Sequence, residues 1–418
     1  MGLFPESGQS LFRCLARAGT IGDNDFALIC VPPLPFGGRR FLRKGNMAPV
    51  RMVALDFRRC SFRLRFAFRH NLASRGSVDT ILVRAVSSGG KAGFSQILPR
   101  TYLTGETIES CLDDLEKRWR SALLDMTFNL DDGAKGALAA LAPVYETADS
   151  LRRTASFSGV DLAVVDALCR EAAISGGEMW GASPPPVDLV GVVSATTPRK
   201  AGLMAWLLRR FGYRRFKVKV GRDAAVDRAR LRAVRRAVGS GAWLAIDANA
   251  AWTAEEALER LASYREFSPA LVEEPLQPGS GVSLGEIEKQ SGVAVMADES
   301  LCTLEDAKKL LAEGSPSWWN LRLGKIGGFS GLAALSNLAS ENGVKLYGGV
   351  LVGETSCLAA ASRASMGLAG YQCMEYGFPR ILVAGDPFRG GPGGFDGLAR
   401  PLAGIGLGVC PLRTKMIW

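Results

Sequence analysis

The sequence predicts an α/β protein in which a closed eight-stranded barrel adjoins a smaller α+β unit. Three observations predict it. From about residue 187, short apolar runs alternate with amphipathic stretches, the pattern of βα units around a parallel sheet. The charged residues ending these runs recur almost evenly: Lys219 to Asp247 is 28 residues, then 26 to Glu273, 25 to Asp298 and 27 to Lys325, a period suited to one βα unit. Upstream, residues 49–98 alternate as strands do, and residues 106–172 carry helical periodicity.

Residues 1–46 stand apart. They hold Pro32-Pro-Leu-Pro35, Gly37-Gly38 and a basic end from Arg39 to Lys44, and neither strand nor helix periodicity persists, so a poorly ordered extension or an artefact of an upstream start codon is expected. Residues 47–175 are expected as the α+β unit, with strands over Val50–Phe57, Ser61–Phe68 and Asp79–Val86, and a turn at Gly89-Gly90. Residues 176–378 carry the eight expected barrel strands: Val187–Val193, Arg215–Val220, Trp243–Ala248, Ala270–Glu274, Val293–Ala297, Trp319–Lys325, Lys345–Leu351 and Tyr371–Tyr376. Thr253-Ala-Glu-Glu256 and Ser283-Leu-Gly-Glu286 read as capping boxes, and Gly314 and Gly343 as helix ends. Residues 379–418 form a closing segment. A doubly wound open sheet would require a Gly-rich phosphate turn after its first strand, and none is present; Gly390-Gly-Pro-Gly-Gly394 lacks the Lys-Ser/Thr of a P-loop.

Composition narrows the chemistry. Of 418 residues, 47% are hydrophobic and 22% charged, which excludes wholesale disorder. The 51 Lys+Arg against 41 Asp+Glu leave +10, of which residues 1–46 supply +3 (six basic, three acidic), so the remainder carries +7. Basic residues are spread out rather than interleaved with aromatics on one surface, so no nucleic-acid partner is expected. No apolar run approaches the ~20 residues of a membrane span, and no signal peptide is evident. Nine scattered cysteines without a C-x-x-C pair read as reduced thiols of a cytoplasmic protein. The single histidine, His70, excludes a histidine-rich metal site.

The strand ends carry the candidate chemistry. Alone, a Lys-Val-Lys strand reads as a solvated edge, and an acid at a strand end as a helix cap. Register changes this. In Arg215-Phe-Lys-Val-Lys-Val220 the apolar residues share one face and both lysines the other. Helices cover the outside of a barrel, so Lys217 and Lys219 point inward, toward the mouth where such barrels place their sites. Asp247, Glu273 and Asp298, brought there by successive strands, would repel one another without a cation, and all-oxygen ligands favour a hard one such as Mg²⁺. Lysines on either side offer a proton acceptor and a proton donor; Lys217 beside Lys219, with the cation, favours a neutral, basic Lys219.

These residues resemble the enolase superfamily, in particular its mandelate racemase/muconate-lactonising-enzyme subgroup. The resemblance rests on Lys217-Val-Lys219, Asp247-Ala-Asn249, Glu273-Glu274-Pro275, Asp298-Glu299-Ser300 and Lys325-Ile-Gly-Gly328, and extends from about Ala48 to Val409. It implies a (β/α)7β TIM-like barrel with an α+β capping domain built from the N-terminal segment and the C-terminal end, Gly404-Ile-Gly-Leu-Gly408 being the strand that returns. It implies that Asp247, Glu273 and Asp298 bind Mg²⁺, with Mn²⁺ as a substitute. Asn249, Glu299 and Ser300 support them. Lys219 takes the proton α to a substrate carboxylate, Lys217 stabilises the resulting ene-diolate, and Lys325 returns a proton on the other face or stabilises the intermediate.

The resemblance also implies a homo-oligomer acting on a small anionic carboxylate, as a racemase or epimerase of an N-acyl amino acid or dipeptide. The alternative is a muconate-cycloisomerase-like enzyme or an o-succinylbenzoate-synthase-like, syn-dehydrating lyase. Subgroup members with a barrel histidine as base are excluded, because His70 lies in the capping segment, where it faces substrate or is structural. Related dipeptide epimerases carry Asp-x-Asp on the last strand for the substrate amine. Here the segment reads Glu375-Tyr-Gly377, and Glu354 either compensates for the missing acid or caps the next helix.

Overall fold

The computed structural model describes residues 49–69, 74–124, 126–130, 133–181, 183–221, 223–393 and 395–412. The extension 1–46, His70, Cys14 and Cys30 lie outside the described residues. The described residues belong to one compact unit.

Strands β1 (Val50–Arg69), β2 (Ser74–Ser87), β3 (Ala92–Ile97) and β4 (Thr127–Phe128) form an antiparallel sheet in the order β3-β2-β1-β4. The two expected strands over 50–68 are one long strand, because the alternation runs on without a turn signal between them. Helices α1 (Ile108–Asp114), α2 (Arg120–Leu124), α3 (Ala134–Ser150) and α4 (Thr154–Glu171) follow. Helix α4 is buried from Thr154 to Cys169. Its backbone reaches strand β3 because position 93 is glycine: a Cβ there would stand 2.1 Å from the Ala163 carbonyl oxygen and 2.2 Å from the Ala167 nitrogen.

The barrel strands are β5 (Val187–Val193), β6 (Arg215–Lys219), β7 (Trp243–Asp247), β8 (Leu271–Glu273), β9 (Ala294–Ala297), β10 (Trp318–Leu321), β11 (Lys345–Gly348) and β12 (Tyr371–Glu375). They pair in sequence order, and Met374 and Glu375 of β12 pair in parallel with Leu189 and Val190 of β5, closing the barrel. Between them run α5 (Pro198–Arg210), α6 (Ala224–Val238), α7 (Ala254–Tyr264), α8 (Leu284–Ser291), α9 (Leu304–Gly314), the short α10 (Leu323–Ile326), α11 (Gly328–Glu341) and α12 (Ser356–Ala364). Thr253 and Glu256 form the expected capping box; Ser283 accepts from the Glu286 amide, but the reciprocal bond is absent. Gly314 and Gly343 have left-handed φ values of 96° and 68°.

Strand parity sorts the side chains. Phe216, Val218, Leu244, Ile246, Val272 and Val295 join the large core shared with the helices. Val190, Ala245, Leu271, Met296, Trp318, Tyr347 and Cys373 form a separate cluster inside the barrel. Two residues further along the same inward rows stand Asp247, Glu273, Asp298, Asn320 and Glu375. The inner rows are thus apolar low in the barrel and charged at its mouth.

Two expectations are corrected. The strand after α9 stops at Leu321, and Lys325 sits in α10; the alternating Leu-Arg-Leu run imitated a longer strand. Residues 404–408 form no strand, because Gly404, Gly406 and Gly408 have φ of 132°, 59° and 63°, which turn the chain. Ile405 and Gly406 meet Ser175 in single bridges, and strand β15 (Val409–Pro411) pairs instead with β13 (Phe388–Gly390). Strand β14 (Leu398–Ala399) adds an antiparallel edge to β5.

Gly93→Ala is expected to destabilise the chain by about 1–3 kcal/mol, since the new methyl meets helix backbone rather than a movable side chain. Urea unfolding measures this.

Candidate active site

The register of the strands places the site. Lys219 pairs with Asp247 across β6 and β7, and Asp247 with Glu273 across β7 and β8, so neighbouring side chains of opposite and like charge stand one strand apart. The mouth contains four buried cations, Lys217, Lys219, Arg322 and Lys325, and four buried carboxylates in contact with them, Asp247, Glu273, Asp298 and Glu375.

They alternate. Lys219 touches Asp247; Lys217 lies 3.5 Å from Asp247 and 2.5 Å from Glu273; Arg322 lies 3.2 Å from Glu273 and touches Asp298; Lys325 lies 2.8 Å from Asp298. Lys325 also donates to the Asp298 carbonyl at 2.5 Å. Burial alone would push Asp247 and Asp298 up, but Lys219 and Lys217 hold the first, and Arg322 and Lys325 the second, below the usual carboxylate range. Glu273 differs: burial and the flanking Asp247 and Asp298 push it up to about 7 despite Lys217 and Arg322.

Lys219 and Lys325, the two expected proton carriers, therefore stand at opposite ends of the Asp247–Glu273–Asp298 row. Lys217 is central. Burial would lower its pKa, but Glu273, Glu375 and Asp247 outweigh this and raise it, so it stays charged. Asn249 joins the row to its surroundings: its Oδ1 accepts from Lys219 at 2.9 Å, its Nδ2 donates to Glu299 at 3.1 Å, and its backbone N–H donates to Asp247 at 3.0 Å. Burial, reinforced by Asp298 and Glu274, raises Glu299 well above its usual range. Ser300 contacts Glu274 rather than the row itself. Asn249, Ala250 and Glu274 adopt left-handed φ of 46°, 57° and 36°, so strain concentrates where β7 and β8 end.

Two participants escaped the sequence reading. Arg322 bridges Glu273 and Asp298, and Asn320 donates to Glu273 at 2.7 Å. Both share the inward row with Trp318, and the signal was the period-two pattern Trp-Trp-Asn-Leu-Arg. Glu375 is engaged by Lys217, the Tyr347 hydroxyl at 2.9 Å and the Val350 amide at 3.3 Å. Glu354 does not cap α12. Its Oε1 accepts from the Leu351 amide at 2.7 Å, and its buried Oε2 has no hydrogen-bond partner and lies 3.5 Å from where a Cβ on Gly377 would stand.

The donor set suits a hard divalent cation. Asp247, Glu273 and Asp298 are fully buried all-oxygen donors on adjacent strands. The middle one is pushed up by its acidic neighbours, and Glu299 Oε2 and Asn320 Oδ1 beside the row lack partners. Among the described residues no three acidic, cysteine or histidine side chains already converge as a metal cage; the row's oxygens face lysine and arginine instead.

Residues 202–414, just over half of the chain, match the family model described as enolase C-terminal domain-like. The chain belongs to that family. Its relatives place it in the mandelate racemase/muconate-lactonising-enzyme subgroup of the enolase superfamily. It is 25% identical over 309 residues to the hydrophobic dipeptide epimerase of Enterococcus faecalis, covering 73% of this chain and 84% of the relative. It is 29% identical over 202 residues to the chloromuconate cycloisomerase of Cupriavidus pinatubonensis, covering 47% and 54%. The crystal structure of the Enterococcus faecalis dipeptide epimerase with Mg and the dipeptide L-Leu-L-Tyr superposes with a TM-score of 0.75 at 22% identity, covering 87% of this chain and 99% of that one.

Burial pushes Glu354 up to about 8, only partly opposed by the Leu351 amide. A carboxyl raised in the folded state holds its proton there after the unfolded chain has lost it, so its contribution to stability is full below about pH 4.5 and is lost as pH rises to about 8. Unfolding measured from pH 5 to 9 should show wild type losing stability relative to Glu354→Gln, by an amount on the order of a few kcal/mol. Parallel pH profiles would contradict the assignment.

Proposed function

We propose that this chain is a metal-dependent racemase or epimerase that removes the proton α to a substrate carboxylate, its substrate being a dipeptide or an N-acyl amino acid. The observation that carries the reading is the pair of lysines at opposite ends of one buried carboxylate row. The dipeptide epimerase relative, whose crystal structure holds Mg and a dipeptide, supports Mg²⁺ and this substrate class.

Asp247, Glu273 and Asp298 would hold the Mg²⁺ (or Mn²⁺), which supplies positive charge to the substrate's carboxylate oxygens as electron density moves onto them. Charge balance then decides the state of the lysines. The mouth holds four cations and four carboxylates; a divalent cation and the substrate's carboxylate would add +2 and −1 there. One surplus positive charge remains in a buried site, which favours loss of one lysine proton. Lys219 is suited to lose it, because its partner Asp247 would also hold the cation. Neutral Lys219 accepts the α-proton, and the electron pair of the C–H bond enters the ene-diolate. Lys217 and Arg322 remain charged beside it. Lys325, on the far side of the row, donates its proton to the opposite face of the same carbon, completing inversion. Because Lys217 neutralises Glu375, Glu354, with its free buried oxygen, is the better placed acid for a substrate amine.

The second reading, a cycloisomerase, is favoured by the chloromuconate cycloisomerase match and needs only one lysine to move the proton. Incubation with Mg²⁺ in D₂O and a library of dipeptides and N-acyl amino acids, followed by mass spectrometry, tests both. α-Deuteration should be lost with EDTA, and Lys219→Ala should lower it by about 10²-fold or more for the enantiomer whose proton Lys219 takes. Lys325→Ala should abolish exchange from one enantiomer only. Exchange that survives both EDTA and Lys219→Ala refutes the mechanism, and loss with no dependence on Lys325 favours the cycloisomerase.

A further inference from the structure

Lys325 is carried on a short, four-residue buried helix followed by two glycines, the support of a group that must meet one carbon atom. Gly327 and Gly328 have φ of 87° and 71°, so the chain reverses there in a conformation that side chains resist. Within the turn the Lys325 amide donates to the Arg322 carbonyl at 2.9 Å and the Gly327 amide to the Leu323 carbonyl. A further anchor comes from α4, far away in sequence. The Thr154 hydroxyl donates to the Lys325 carbonyl at 2.7 Å. Seven residues on, the Asp161 carboxylate accepts from the Phe329 amide at 2.6 Å, the Ser330 amide at 3.3 Å and the Ser330 hydroxyl at 2.5 Å.

Positions i and i+7 lie on one face of a helix, about two turns or ~10 Å apart. Thr154 and Asp161 therefore grip both sides of the Lys325-Ile-Gly-Gly turn. Asp161 supplies the side-chain cap that α11 lacks, since Gly327 and Gly328 have no side-chain oxygen to offer. The turn is also pressed against the α3–α4 layer: a Cβ on Gly327 would stand 2.7 Å from the Tyr145 ring, and one on Gly328 would stand 2.4 Å from Asp161. Lys219 has a different support, in strand β6 and the Arg230 guanidinium, which donates to its carbonyl at 3.0 Å. The two lysines are held by separate structures.

We infer that Thr154 and Asp161 are positioning residues for Lys325 alone, and that they govern proton transfer on one face of the substrate. This rests on the two-base reading above. A displacement of about 1 Å in a reacting group can cost on the order of 10²-fold in rate, so a loosened turn should show as a face-specific defect.

The experiment compares α-deuteration from each enantiomer separately, with full-length wild type, Thr154→Val, Thr154→Ser and Asp161→Asn, in Mg²⁺ and D₂O. Thr154→Val and Asp161→Asn should slow exchange on the face that Lys325→Ala abolishes, by roughly 10- to 100-fold. Exchange on the Lys219 face should change by less than about 3-fold, the scatter expected of distant substitutions. Thr154→Ser, which keeps the hydroxyl, should restore the rate. Equal slowing of both faces, or no slowing, overturns the inference. If wild type exchanges neither enantiomer, the two-base reading fails instead. Amide hydrogen exchange then decides the positioning: faster exchange in Asp161→Asn confined to residues 323–330 upholds it, and no change or a change across the barrel overturns it.

Discussion

Around the mouth of the barrel, Lys219, Asp247, Lys217, Glu273, Arg322, Asp298 and Lys325 alternate in sign, each in contact with the next. Buried charges of this number are tolerable only as a connected network, because a lone charge in a dry interior is far too costly. The network therefore constrains everything around it. It requires a barrel, which brings alternate residues of successive strands to one ring. It requires an apolar plug below, supplied by the Met296–Trp318–Tyr347 layer, to keep the floor dry. Burial also holds its neighbours Glu299 and Glu354 above the usual carboxylate range.

A network balanced in this way responds to whatever enters it. In the proposed mechanism, positive charge added to the carboxylates would free the lysines that are their partners, and those lysines would move the protons, so that binding and activation would be one electrostatic event. The left-handed backbone at Asn249, Ala250 and Glu274 fits the same picture, as local strain borne where strand ends must aim polar groups into a crowded ring. The α3–α4 layer is also part of the machinery. Asp149 accepts from the Leu304 amide at 2.7 Å and Arg152 pairs with Asp306 at 2.8 Å, so the layer holds the turns after both β9 and β10.

The barrel was legible in the sequence because its information is periodic. Even spacing of charged strand ends reports one βα unit per period, and the two-residue alternation at Phe216–Val220 reports which face each lysine takes. The candidate site was legible for the same reason, since Lys217, Lys219, Asp247 and Glu273 lie on regular strands and Asp298 directly follows one. Lys325 was placed correctly at the mouth but on the wrong element, because Leu-Arg-Leu imitates a strand until Gly324 breaks it. Arg322 and Asn320 were passed over because one arginine among many carries no local mark; only the closed ring shows that it faces two carboxylates. The docking of α4 on the Lys325 turn joins residues 171 positions apart, and no periodicity reports such a contact. The glycines at 404–408 resembled a strand by analogy, whereas their left-handed backbone makes a turn.

In the proposed mechanism a divalent cation and an anionic substrate together drive one proton from Lys219, and proton release followed in weak buffer as Mg²⁺ is added with a slowly reacting carboxylate ligand measures this. At about pH 9, Glu273, pushed up to about 7, is already ionised. Release of about one proton per chain is expected on forming the ternary complex, and none in Lys219→Met. Tight binding of both ligands without proton release, or equal release from Lys219→Met, would contradict it.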